Sequence, residues 1–152
     1  MLKIRSICEQ DRAYFLSAIQ SFYQSPAVCH AIPPQNAERT FALLMHGTPY
    51  ADCLIAEAED GTPVGYCLLA LTWSNEAGGL CVWLEEIMVS DTCRSQGVGR
   101  KLISAVHEKY QNAARFRLEV TDDNPRAAAL YRILGFEDLP YRQMTMDRPP
   151  EA

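Results

Sequence analysis

The chain has 152 residues, the usual length of one domain. With 48% hydrophobic and 22% charged residues, it has the composition of an ordinary globular protein with its own core. A formal net charge of −5 argues against a general nucleic-acid binder, which is usually basic. The six cysteines form no CxxC pair and none stands at zinc-ligand spacing with a histidine, so no metal is expected.

No apolar run approaches the roughly 20 residues that a membrane helix needs, and the opening MLKIRSICEQ is too polar for a signal peptide. Free thiols in a reducing cytoplasm are the expectation. One domain over 1–148 and a short tail over 149–152 are expected.

In chain order, LKIRSI (2–7) alternates and predicts a strand. Phe15, Ile19 and Phe22 recur at helical spacing within 9–23. QSPAVCHAIPP (24–34) reads as a surface loop, and 36–47 as a helix with Asn36 as cap and Gly47 as stop. ADCLIAEAED (51–60) and VGYCLLALTW (64–73) flank an Asp-Gly turn, a hairpin signal. SNEAGG turns the chain into the strand LCVWLEEIMV (80–89).

Val98, Leu102, Val106 and Tyr110 recur every four residues, predicting a helix over about 97–111. RFRLEVT (115–121) alternates as a strand. Asp123 or Asn124 can cap the next helix, and Pro125 suits its first turn. Ala127, Leu130, Tyr131 and Leu134 form its stripe, and Gly135 ends it. RQMTMD (142–147) predicts a last strand. The fold class is α/β (α+β), in the order β-α-α-β-β-β-α-β-α-β. It predicts a mixed sheet with packed helices and a parallel strand–helix–strand unit over 80–121.

The stretch CRSQGVGRKL (93–102) carries the first chemical signal. Gly97 and Gly99 open a helix directly after a strand. A helix start offers unpaired N–H groups and partial positive charge, which suit a phosphate. Arg94, Arg100 and Lys101 add charge there. A pyrophosphate cradle and a plain Gly-rich turn with solvated arginines both fit. The Walker pattern is absent, and Leu102 stands where GxGxxG needs its third glycine, so an ordinary NTP or NAD site is disfavoured.

The span WLEEIMVSDTCRSQGVGRKL resembles the acetyl-CoA motif of the GNAT N-acetyltransferase superfamily, (Q/R)-x-x-G-x-(G/A), at Arg94, Gly97 and Gly99. NPRAAALYRILGF resembles that family's later strand–helix segment, in which an Asn is followed seven residues on by a Tyr, here Asn124 and Tyr131. Ser90–Asp91 departs from the family, which often has a proline after the motif strand.

The resemblance implies helices on both faces of the sheet and a V-shaped split between the strands at 80–89 and 115–121, with acetyl-CoA as co-substrate in the split. Ile87, Met88 and Val89 would flank the pantetheine, with Asn124 bonding its amide. Arg94, Ser95, Gln96, Gly97, Val98, Gly99, Arg100 and Lys101 would seat the pyrophosphate. It also implies direct transfer to an amine in a ternary complex, with the cysteines not acting as nucleophiles, and a homodimer is common in the family.

Direct transfer needs a base for the ammonium, a donor for the oxyanion and an acid for the leaving thiolate. Glu85 lies nine residues before Arg94, where the family's diamine branch has a proposed base-relay Glu, and would act through water. Its other reading is an exposed strand charge that only attracts the cation. Glu86 reads as structural or as a rim charge. Tyr131 fits the acid, or else belongs only to the buried stripe. The oxyanion donor is expected to be a backbone N–H near Met88.

His30, His46 and His107 read as structural or solvated. The acceptor favoured is a small primary amine. A protein lysine or N-terminus, or a non-catalytic acyl-CoA-binding module, are the alternatives.

Overall fold

Alternation and short turns build a five-stranded sheet in a computed structural model that describes residues 1–148. The strands are β1 (Lys3–Ser6), β2 (Ala51–Glu57), β3 (Pro63–Ser74), β4 (Gly79–Val89) and β5 (Arg115–Leu118). They lie in the order β1-β2-β3-β4-β5. The first three pairings are antiparallel, and β4 with β5 is parallel. The expected hairpin joins β2 to β3, closed by Ala58 N–H on the Thr62 carbonyl at 2.8 Å.

The helices are α1 (Arg12–Phe22), α2 (Pro34–His46), α3 (Val98–Lys109) and α4 (Pro125–Ile133). Helix α1 buries Phe15, Ala18, Ile19 and Phe22, a one-sided stripe at spacings of three and four. It packs with Ala37 and Phe41 of α2 against Cys53, Ile55 and Tyr66. The ring of Phe15 lies 5.7 Å from that of Tyr66 and 5.8 Å from that of Phe41. On the opposite face, Val98, Leu102, Ile103 and Val106 of α3 cover Leu54, Ala56, Cys67, Leu69, Val82 and Leu84. With both faces covered, the central strands must be apolar on both sides, hence the unbroken run Cys53–Leu54–Ile55–Ala56.

Three expectations need correction. The second helix begins at Pro34, not at an Asn36 cap; the ring presets the first turn, and Asn36 lies inside, its carbonyl accepting from Thr40 Oγ1 at 2.9 Å. The strand expected over 115–121 stops at Leu118, where its pairing with β4 ends. Residues 142–147, expected as a last strand, form none: they find no ladder partner, and Met144 and Met146 stand exposed. The tail expected over 149–152 lies outside the described residues.

Candidate active site

The site begins with an irregularity in β4. Leu69 pairs with Leu84 and Leu68 with Glu86, so Glu85 is an extra residue in a β-bulge. A bulge bends its strand and increases the twist. On the other side, β4 pairs with β5 only from Cys81–Arg115 to Leu84–Leu118. Beyond that point the two strands part, and residues 85–89 have no β5 partner. This is the split expected from the sequence.

A cleft of about 870 Å³ occupies the opening. Ile87, Met88 and Val89 form one wall, and Asn124, Ala127, Leu130 and Tyr131 of the α4 segment form another. Arg94, Ser95, Gly97, Val98, Gly99 and Arg100 close one end. Phe22 and residues 24–27, after α1, close the other side. Ten of the positions expected from the sequence to hold the cosubstrate therefore line one cavity with Tyr131. Gln96 and Lys101 do not line it: the Gln96 amide turns back to donate to the Thr92 carbonyl at 3.0 Å, and Lys101 is exposed on α3.

The Gly-rich turn has the anion-binding form. Gly97 is the N-cap of α3 with φ 78°, and no side chain caps the first amides. A Cβ added there would meet open space within 4 Å, so the need for glycine is conformational. Ser95 also has a positive φ, 65°. The Arg94 guanidinium is steered by Asp91 Oδ1 at 2.8 Å and reaches the Val89 carbonyl at 3.4 Å. Arg126 donates to the Ser95 hydroxyl, bringing a further cation to the same end of the cleft. The sequence reading missed Arg126, although its place directly after the Asn-Pro helix start was a usable signal.

Asn124 acts as the cap of α4, its Oδ1 accepting from Ala127 N–H at 3.3 Å. Tyr131 is half-buried, with its ring edge-on to Phe136 at 5.9 Å. Burial, with a smaller contribution from Cys67, pushes its phenol up to about 12. It therefore keeps its proton at neutral pH.

The two strand glutamates have different surroundings. Glu85 is solvent-accessible at the bulge and off the cleft's lining. Desolvation, then Glu119 and Glu86, raise its carboxyl above the ordinary range. Glu86 is buried, which corrects the rim-charge reading: its two oxygens accept from Tyr23 Oη and Tyr66 Oη, each at 2.7 Å. Burial raises its pKa, and the two phenols only partly offset this.

The remaining candidates lie elsewhere. His46 Nδ1 is 2.7 Å from the Ala42 carbonyl, and His107 packs on Phe116 at 4.3 Å. All six cysteines are free; Cys53, Cys67 and Cys81 are buried, and Cys93 lines the cleft. Among the described residues no helix is long and apolar enough to cross a membrane. No group of three or more His, Cys, Asp and Glu among them is placed to hold a metal.

The family model described as "Acetyltransferase (GNAT) family" matches residues 15–136, from α1 through the turn after α4. The chain belongs to the GNAT acetyltransferase family and is by class an N-acetyltransferase.

Among particular proteins, it is similar to the thialysine N-epsilon-acetyltransferase of Mus musculus. The two are 38% identical over 149 residues, covering 90% of this chain and 85% of the mouse protein. The Bos taurus protein of the same name is 36% identical over 104 residues, covering 60% of this chain and 59% of its own length. The fold is that of a solved aminoglycoside acetyltransferase, AAC(6')-Iy, in complex with a CoA-linked bisubstrate analog. The TM-score is 0.80 at 17% identity, covering 98% of this chain and 99% of that one.

Proposed function

We propose that the protein transfers an acetyl group from acetyl-CoA directly to a primary amine of a small molecule, in a ternary complex. One observation carries the reading. The β4–β5 split, the uncapped start of α3 and the Tyr131 phenol all border a single cleft. A cosubstrate with a pyrophosphate at one end and a thioester at the other would span them.

The fit can be argued from residues. The α3 amides after Gly97, with Arg94, Arg100 and Arg126 around them, suit a pyrophosphate. The unpaired edge of β4 over Ile87, Met88 and Val89 suits an extended amide-bearing arm that adds like a strand. In this reading a backbone N–H near Met88 serves the developing oxyanion.

Glu85, Glu86 and Glu119 gather negative charge beside the split, which favours a cationic acceptor. Glu85 relays the ammonium proton through water, since it stands off the cleft wall. The amine nitrogen attacks the acetyl carbonyl, the C–S bond breaks, Tyr131 gives its proton to the departing thiolate, and the second proton lost by the nitrogen restores the Tyr131 phenol. The Cys93 thiol takes no covalent part.

A small acceptor is favoured over a protein lysine by the mouse relative, which by name acetylates the ε-nitrogen of thialysine. The test is thiol release from acetyl-CoA with a panel of diamines, amino acids, aminoglycosides and basic peptides. Turnover confined to peptides would overturn the small-molecule acceptor. Tight acetyl-CoA binding without turnover on any acceptor would replace the enzyme reading with a binding module.

A further inference from the structure

The sheet face that α1 and α2 pack on is bare over part of β4 and β5. On β3 that face carries Tyr66, which meets Phe15, and four residues on Ala70, which pairs with Trp83. Trp83 pairs in turn with Arg117 of β5. Among the described residues, neither side chain belongs to the cores under α1 and α2 or under α3. The Arg117 guanidinium lies on the Trp83 ring instead, 4.2 Å from its centroid, and both residues are half-buried.

The neighbouring arginine of β5 is neutralised, since Arg115 pairs with Glu76. Arg117 makes no ion pair and no hydrogen bond among the described residues. A guanidinium fixed by stacking, with its donors unclaimed, is a ready partner for a carboxylate, which it can hold through two parallel hydrogen bonds. One strand step nearer the split the sign reverses. Glu85 follows Trp83 by two residues and Glu119 follows Arg117 by two, and Glu119 lies close enough to act on the Glu85 charge. An open strip with a cation at one end and carboxylates at the other suits a ligand that carries both charges.

We propose that Arg117 binds the α-carboxylate of the acceptor, which is therefore an amino acid acetylated on its side-chain amine. This assignment rests on the acetyl-transfer reading and narrows the acceptor to one class. The carboxylate sits on Arg117 beside Trp83, and the terminal amine reaches the Glu85 side of the split. Two residues of strand separate these places, about 6.6 Å at ~3.3 Å per residue. From its α-carbon to its amine, a lysine-like side chain runs about five bonds of ~1.5 Å each and covers that length when extended. The α-amine stays beside the carboxylate and is held away from the split. A plain diamine of the same length offers Arg117 no acceptor and brings a second ammonium beside the guanidinium, so the strip also works against it.

The test compares thiol release from acetyl-CoA by the full chain with L-lysine, with lysine amide and with cadaverine, the same chain without its carboxylate. The parent should prefer lysine in kcat/KM by about tenfold to a hundredfold, the worth of one charged hydrogen bond. Nuclear magnetic resonance of the product should place the acetyl group on the side-chain nitrogen alone. In Arg117→Gln the preference should shrink to near parity through a raised KM for lysine, with folding checked by circular dichroism. Arg117→Lys, which keeps the charge without the planar fork, should restore part of it. Equal turnover of lysine and cadaverine by the parent, acetylation of the α-nitrogen, or a preference that survives Arg117→Gln would each overturn the carboxylate site and leave acetyl transfer standing. No thiol release with any amine would overturn the acetyl-transfer reading, and this assignment with it.

Discussion

Leu84 and Leu118 are the last residues at which β4 and β5 pair, and the residue after Leu84 is the bulged Glu85. The bulge sits where β4 leaves its neighbour, and the bulged residue is a carboxylate exposed beside the opening. One extra residue in the strand thus marks the start of the split and places a carboxylate beside it.

The first prediction concerns that group. Desolvation and the nearby Glu119 and Glu86 raise the Glu85 carboxyl. A base works only when ionised, so activity should fall as pH drops through the raised value, above the ordinary figure of about 4.3. In Glu85→Gln, kcat should fall by roughly tenfold to a hundredfold, and this acidic limb should vanish from the pH–rate profile. A variant that keeps the parent's acidic limb would remove Glu85 from the relay.

Tyr131 provides the second. Its phenol is held up to about 12 and makes no hydrogen bond among the described residues, so its removal leaves no partner unsatisfied. Tyr131→Phe should keep thermal stability within about 0.5 kcal/mol of the parent. It should lower kcat roughly a hundredfold, the usual share of a general acid, and leave KM for acetyl-CoA nearly unchanged. A fully active variant would show that the thiolate leaves unaided.

The third rests on a close approach. A Cβ added at Gly65 of β3 would lie 2.8 Å from the Met88 carbonyl oxygen, which is backbone and cannot swing aside. Met88 is on the cleft wall. Gly65→Ala should push β4 toward the split, costing about 1–3 kcal/mol in urea unfolding and raising KM for acetyl-CoA several-fold. Unchanged KM with lowered stability would mean that the strand yields away from the cleft.

The residues that carry this argument differ in how readable they were. The stripes of α1 and α3 and the hairpin turn follow from local periodicity, which survives any packing. Asn124 and Gly97 were legible because a cap and a left-handed turn are local backbone requirements. The bulge at Glu85 was not, because two consecutive glutamates look the same in an even ladder and in an irregular one. The roles of Glu86 and Tyr23 depend on a contact between residues 63 positions apart, which no pattern records. RQMTMD alternates well but lacks a neighbour, and a strand is defined by its partner as much as by its sequence.

A fourth prediction tests what anchors α1, which forms the cleft's far side. Asp11 is buried and accepts from Arg5 Nη1 at 2.7 Å, Arg5 Nη2 at 2.9 Å and the Cys8 amide at 2.9 Å. Burial alone would raise its pKa, but Arg5 and Cys8 outweigh it and hold the carboxyl below its ordinary range. A lowered folded pKa contributes stability that is complete above the unfolded value of about 3.9 and is lost as pH falls through the folded one. Asp11→Asn should therefore cost about 3 kcal/mol at pH 7. This is the low end for a broken buried pair, because Arg5 keeps 23% of its exposure. The deficit, read from urea midpoints, should shrink below pH 4 as the parent loses its own charge. A deficit that stays constant from pH 7 to pH 3 would mean that the hydrogen bonds to Cys8, and not the ion pair, hold the start of α1 in place.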